Sequence, residues 1–368
     1  MSEAPLALPI GLAPFAGIAG GQMLHLRPPT RYGSTPPGLS GFVPADPARA
    51  RQMLSLLVRP LVECPLEAVM LYRDAVVLDG MQVLGRDGTG VLESFPLYAE
   101  PHHVAWQRQH LNRIAAGNMA VVAEAGPPVA AIFAPCAFNF GHVLVEMLPR
   151  LVLLAEAGLR QLRLLVPAEA EPLWPMVAFA LKALGMAAEK LVCPTGLAVR
   201  VPALHWVTPV ARHEHRKSPT LLHLMETLRD AAPRLDGPER LYVARPAGAR
   251  RNVANAAAVE QAARAAGFTV VEPSALPFAA QVALFAGARR IVGPMGAALT
   301  LMAAMPSGGR VGMLEGGNAD PFFWDLACLC GHRFDWGFTA PLTAFDMALL
   351  ERPMVVDLDL LAEMLEGA

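Results

Sequence analysis

Three polar residues lie in the otherwise apolar run FNFGHVLVEML: Asn139, His142 and Glu146. A spacing of four puts His142 and Glu146 on one face of a helix, a turn apart. A carboxylate set against an imidazole fixes its tautomer and raises its basicity, so the two form a proton-handling pair. The same residues also suit a plainer arrangement, a helix N-terminus capped by Asn139 with an ordinary polar pair behind it. As a metal site the pair is weak, because His-x-x-x-Glu lacks a third ligand at a recognisable spacing and the His213-x-His215 string is isolated. The DxD-like string Asp357-Leu358-Asp359 sits in the alternating pattern VVDLDLL, which predicts the exposed side of a strand rather than a metal–nucleotide clamp.

A second constellation lies between Leu241 and Gly317. Short apolar runs (LYVAR, TVVEP, RRIVGP, RVGMLEGG) alternate with amphipathic stretches, the layout of a parallel α/β nucleotide domain. Gly293-Pro294-Met295-Gly296 joins one strand directly to one helix. A helix start presents backbone N–H groups and the positive end of the macrodipole, so a phosphate can dock there. Arg245 and Arg251 follow the first strand, where a planar guanidinium suits bidentate phosphate binding. Ligands of parallel sheets bind outside the carboxyl ends of the strands, and Arg245, Gly293 and Glu315 fall at or near such ends. The inference is a diphosphate-bearing ligand. Each residue alone has a duller use: the glycines in tight packing, the arginines as surface charges, and Glu315 at a strand end rather than on a ribose. An NAD-type oxidoreductase is disfavoured, because no G-x-G-x-x-G opens an α/β unit.

The elements needed to hold these residues are readily supplied. With 368 residues the chain suits two domains, and 54% hydrophobic residues furnish a large core. A net charge of −2 with no long basic block speaks against nucleic acid. Only three lysines, against abundant alanine, fit the bias of a GC-rich bacterial genome. Five scattered cysteines without CxxC spacing argue against a disulfide framework or a zinc site. The apolar N-terminus carries Glu3 and prolines but no basic leader, so a cytoplasmic protein without a transmembrane segment is expected, with room for peripheral membrane association.

Residues 1–50, rich in Pro and Gly, read as an irregular arm. Residues 51–235 read as a first α/β domain, opening with short strands from Ala68 to Gly85 and closing at PRLDGP. Residues 236–340 read as a second α/β domain, and 341–368 as a last strand and helix.

The ordered set FNFGHVLVEMLPRL, LYVAR with RRNVAN, GF with PFAAQVALFAGARRIVGPMGAALT, and GGRVGMLEGG with PFFWDLACLCGHRF resembles glycosyltransferase family 61, which includes bacterial capsular polysaccharide biosynthesis proteins. The resemblance covers about residues 134–336. It implies a GT-B-like architecture: two Rossmann-like domains and an interdomain cleft, with the acceptor on the N-terminal side and the sugar nucleotide on the C-terminal side. It also implies inverting transfer from a nucleoside diphosphate sugar to a hydroxyl of a saccharide or glycoconjugate, without metal or other cofactor. On that reading His142 is the base, Glu146 orients it, and Asn139 belongs to the acceptor side. Arg245, Arg251, Gly293, Gly296, Ala297, Thr300 and Glu315 then serve the donor. The chain departs from the family pattern at three places: Met295 replaces the usual His, Ala256 follows Asn255 where Glu is common, and Leu301 follows Thr300 where Asn is common. Those departures leave a second expectation open, an inactive saccharide- or nucleotide-binding protein on the same fold.

Overall fold

The computed structural model describes residues 12–95, 119–122, 124–211, 216–246, 248, 252–343 and 352–366. The chain is mixed α/β and divides into two compact units, residues 1–29 with 65–212 and residues 30–64 with 213–368.

In the first unit the described strands form a ten-stranded mixed sheet. Its centre is the long strand Ala198–Val207, antiparallel to Glu67–Leu78 on one side and parallel to Val129–Ala131 on the other. Gln161–Pro167 and Ala187–Cys193 continue the parallel half. The runs AVMLY and AVVLDG, expected as separate strands, are one twelve-residue strand, Glu67–Leu78. Arg73 and Asp74 interrupt its apolar pattern because they are the exposed pair in its middle, and Asp74 takes a positive φ of 55°. Pairing with Ala198–Val207 runs through the interruption, so tertiary register overrides a local turn signal.

The N-terminal stretch expected as irregular contains Gly21–Arg27, which pairs antiparallel with Glu67–Leu78. Its side chains are mostly exposed, so it lacks the alternation that marks a half-buried strand.

The crossover from Val129–Ala131 to Gln161–Pro167 carries the His142 motif as three consecutive helical pieces: Phe140–His142, a π-helical turn Val143–Met147, and Arg150–Glu156. The wide turn is closed by a 2.8 Å bond from Leu148 N–H to the Val143 carbonyl, five residues back. Pro149 has no N–H to offer the Val145 carbonyl, which discourages an ordinary α turn there. Leu144, Met147, Leu148, Leu151 and Leu154 are all fully buried. A helix apolar on nearly every side belongs in a core, so its few polar groups must find partners in protein.

The second unit is built on a six-stranded, wholly parallel sheet ordered Thr269–Val271, Arg240–Val243, Arg290–Pro294, Arg310–Glu315, Arg333–Phe338, Gly38–Ser40. The chain leaves Arg240–Val243 outward to Thr269–Val271, then returns to Arg290–Pro294 on the other side. That reversal makes the gap between Arg240–Val243 and Arg290–Pro294 a topological switch point. Tyr242, Val292, Leu314 and Phe268 form one core with Leu361 and Met364 of the helix Leu358–Glu366. The VVDLDLL pattern is not a strand: Asp357 Oδ1 accepts from Asp359 N–H at 2.8 Å and starts that helix.

Residues 30–64 are tied into this unit by polar bonds. The Tyr32 hydroxyl donates to Asp325 Oδ1 at 2.6 Å, and Lys217 Nζ meets Asp325 Oδ2 at 2.8 Å with both charges fully buried.

Candidate functional site

In the first unit, the Asn139 side chain caps the Phe140–His142 turn, its Oδ1 accepting from Gly141 N–H at 2.9 Å. The chain enters that cap through Cys136, which holds a left-handed φ of 71° without being glycine. His142 Nδ1 and Glu146 Oε1 lie 2.9 Å apart, with side chains 17% and 12% exposed. A carboxylate can only accept, so Nδ1 carries the hydrogen and the ring lone pair sits on Nε2. Burial, and after it the charge of Glu146, pushes the nearby Cys136 thiol up to about 11.

Arg150 was not singled out by sequence. It is buried, and its Nε donates to the Glu146 carbonyl at 3.1 Å. Burial pulls its guanidinium down to about 10, opposed by the neighbouring Glu146 charge. Its signal was there to be read: an arginine four residues after Glu146, on a helix with no other long polar side chain before Glu156.

In the second unit, Arg245 and the Gly293–Gly296 turn meet at the switch point, at the carboxyl ends of Arg240–Val243 and Arg290–Pro294. Arg245 Nη1 donates to the Met295 carbonyl at 2.7 Å. Close approach to backbone demands glycine at 293, whereas at 296 the neighbour is the Arg245 side chain, which glycine leaves room to lie against the turn. A Cβ on Gly296 would lie 2.0 Å from Arg245 Nη1, and one on Gly293 would lie 2.7 Å from the Val243 carbonyl oxygen. Ala297 opens a 3₁₀ stretch, Ala297–Ala304, whose first N–H groups have no acceptor within their own turn. Met295 itself is buried, and its N–H donates to the Leu314 carbonyl at 2.8 Å.

Two of the residues expected to serve the donor have protein partners of their own. Thr300 is buried and its hydroxyl donates to the Ala297 carbonyl at 2.6 Å. Glu315 is fully buried at the end of its strand, accepting from Trp336 Nε1 at 2.8 Å and from Ala319 N–H. Burial, with a smaller push from Asp320, raises its carboxyl to about 7 against the pull of these donors. Asn255 pairs both side-chain atoms with the backbone of Val356, at 2.8 and 3.0 Å, and so anchors the C-terminal segment. Arg251 lies outside the described residues. Among the described residues no three His, Cys, Asp or Glu side chains cluster as a metal site, and no helix is long and apolar enough to cross a membrane.

One comparison with known families falls on the segment that holds most of both constellations. Residues 140–312 match the family Glycosyltransferase 61. The match spans somewhat under half of the chain and supports a member of that family, a transferase with a sugar donor and an acceptor as its partners. No curated protein matches the chain. The Glycosyltransferase 61 segment includes His142, Glu146, Arg150, Arg245, Gly293, Gly296, Ala297 and Thr300; Asn139 and Glu315 fall just outside it.

Proposed function

We propose that the protein is an inverting, metal-independent glycosyltransferase that moves a sugar from a nucleoside diphosphate sugar to a hydroxyl of a saccharide or glycoconjugate, in polysaccharide biosynthesis. The single observation that carries the donor half is the meeting of Arg245 with the Gly293–Gly296 turn at a topological switch point, inside the Glycosyltransferase 61 match. In this reading the fold is GT-B-like, with the donor on the second unit and the acceptor on the first.

His142 Nε2 takes the proton of the acceptor hydroxyl as its oxygen attacks the anomeric carbon, while Glu146 holds Nδ1–H and stabilises the imidazolium that forms. The bond from the anomeric carbon to the diphosphate breaks on the opposite face, inverting the centre. Charge that develops on the leaving diphosphate is met by the Arg245 and Arg251 guanidinium groups and by the amides of Gly296 and Ala297. Thr300 and Glu315 contribute by shape: one braces the 3₁₀ turn, the other the loop after the fourth strand of the sheet.

The test has two stages. Thermal shifts with UDP, GDP, CDP and their sugars identify the base, since a ligand bound to the native state raises stability by mass action. Transfer is then assayed with wild-type protein and His142→Ala. Loss of rate by roughly 10² to 10⁴ with unchanged nucleotide affinity is expected for a general base. Near wild-type transfer by His142→Ala removes the base assignment. The second reading, an inactive nucleotide-binding protein, is favoured by Met295 standing where the family carries a histidine; nucleotide binding without transfer or donor hydrolysis would establish it.

A further inference from the structure

Arg150 poses a problem of chemistry that the proposed reaction does not by itself explain. Its charge is wholly buried, at a cost that proteins seldom carry without a reason. Its guanidinium meets main-chain oxygens on two different elements: Nε donates to the Glu146 carbonyl at 3.1 Å, and Nη1 reaches the Val207 carbonyl at 3.5 Å. Glu146 sits inside the π-helical turn, and Val207 ends the central strand of the sheet. The turn is a place where backbone geometry has two competing solutions, because widening it by one residue re-aims every side chain it carries. Leu148 N–H bonds Val143 rather than Leu144, and Pro149 has no N–H to donate. The main chain on either side of Glu146 therefore departs from the α pattern, with Leu151 N–H and Val152 N–H bonding back only three residues, to Leu148 and Pro149.

We propose that Arg150 is a positioning residue for the His142–Glu146 pair: its planar fork ties the Glu146 carbonyl to the Val207 carbonyl, and so holds the wide turn in the form that brings Glu146 Oε1 to His142 Nδ1. The Glu146 charge in turn opposes the effect of burial on the Arg150 guanidinium. A lysine cannot do the same work, since a single ammonium on a flexible stem has no fork to span two carbonyls in fixed geometry. The part of this proposal that concerns catalysis rests on the glycosyltransferase reading above; the part that concerns the imidazole does not.

The experiment uses full-length protein with Arg150→Met, Arg150→Lys and His142→Ala. The ¹⁵N imidazole signals of His142, assigned by their absence in His142→Ala, report its tautomer directly. Wild type should show the Nδ1–H form; Arg150→Met should show a mixture of tautomers, and Arg150→Lys an intermediate state. Turnover should fall on the order of 10²-fold in Arg150→Met, as for a small misplacement of a catalytic group, with donor KM and UDP or GDP affinity unchanged. A folded Arg150→Met with the wild-type His142 spectrum overturns the proposal. If Arg150→Met does not fold, Arg150→Lys decides: a wild-type spectrum and rate there would assign Arg150 to folding alone. Should wild type transfer no sugar while Arg150→Met still changes the His142 tautomer, the glycosyltransferase reading falls and the positioning role stands. Should His142→Ala abolish transfer while Arg150→Met keeps both spectrum and rate, only the positioning role falls.

Discussion

Replacing Glu315 with glutamine should change how the stability of the second unit depends on pH. The side chain is fully buried, and its carboxyl is raised from the usual 4.5 to about 7, mainly by burial. The unfolded chain releases this proton near the ordinary carboxylate range, whereas the folded chain keeps it until about pH 7. Between those two values the native state binds more protons than the unfolded state, so the contribution of Glu315 falls as pH rises and levels off above 7. At 1.36 kcal/mol per pH unit the full loss is about 3 kcal/mol. Glutamine keeps an acceptor for Trp336 Nε1 or Ala319 N–H but does not titrate. The difference in unfolding free energy, glutamine variant minus wild type, should therefore grow by roughly 2 to 3 kcal/mol from pH 5 to pH 8, in favour of glutamine, since part of the full loss already lies below pH 5. Urea titrations at several pH values measure it, with Trp336 fluorescence as a reporter that touches the substituted group. A pH-independent difference would refute the argument. A difference of opposite sign would show that the N–H donors around Glu315 outweigh its burial and keep it ionised.

Two further substitutions probe the donor turn. Gly296→Ala places a methyl where Arg245 Nη1 now sits, so it should displace the guanidinium and lower nucleoside-diphosphate affinity by roughly 1.5 to 3 kcal/mol in calorimetry, matching Arg245→Ala; unchanged affinity in both folded variants would remove Arg245 from the diphosphate site. Met295→His should keep or improve nucleotide affinity if binding relies on arginines and amides, whereas a large loss with the fold intact would show that the buried methionine supports the turn by packing.

The strand and helix pattern of residues 240–315 was legible because the inner strands Arg290–Pro294 and Arg310–Glu315 are short and almost wholly buried, whereas Ala256–Ala265 buries one face only, giving two distinct patterns. The proximity of His142 and Glu146 was legible for a similar reason, since a spacing of four brings side chains together on any helical turn. The π turn between them was not, for it depends on a balance of main-chain bonds rather than on residue type. Arg150 escaped notice because a lone arginine on an apolar helix looks like a surface charge until burial is known. Gly38–Ser40 could not be read as the edge of the second sheet: three mostly exposed residues carry no period, and their partner lies some three hundred positions later in the chain.

That late partner has a consequence for how the protein is made and divided. Residues 30–64 belong to the second unit, yet a ribosome delivers them before almost all of the first. Tyr32 must wait for Lys217 and Asp325, and Gly38–Ser40 for Asp335–Gly337, before their bonds can close. The first unit can finish once residue 212 has emerged, while the second stays open at one edge until synthesis is nearly over. A fragment beginning at residue 213 would carry the whole topological switch point but expose the outer edge of Arg333–Phe338 and strand the Lys217–Asp325 pair without its tyrosine. The second unit of this protein cannot be excised by a single cut.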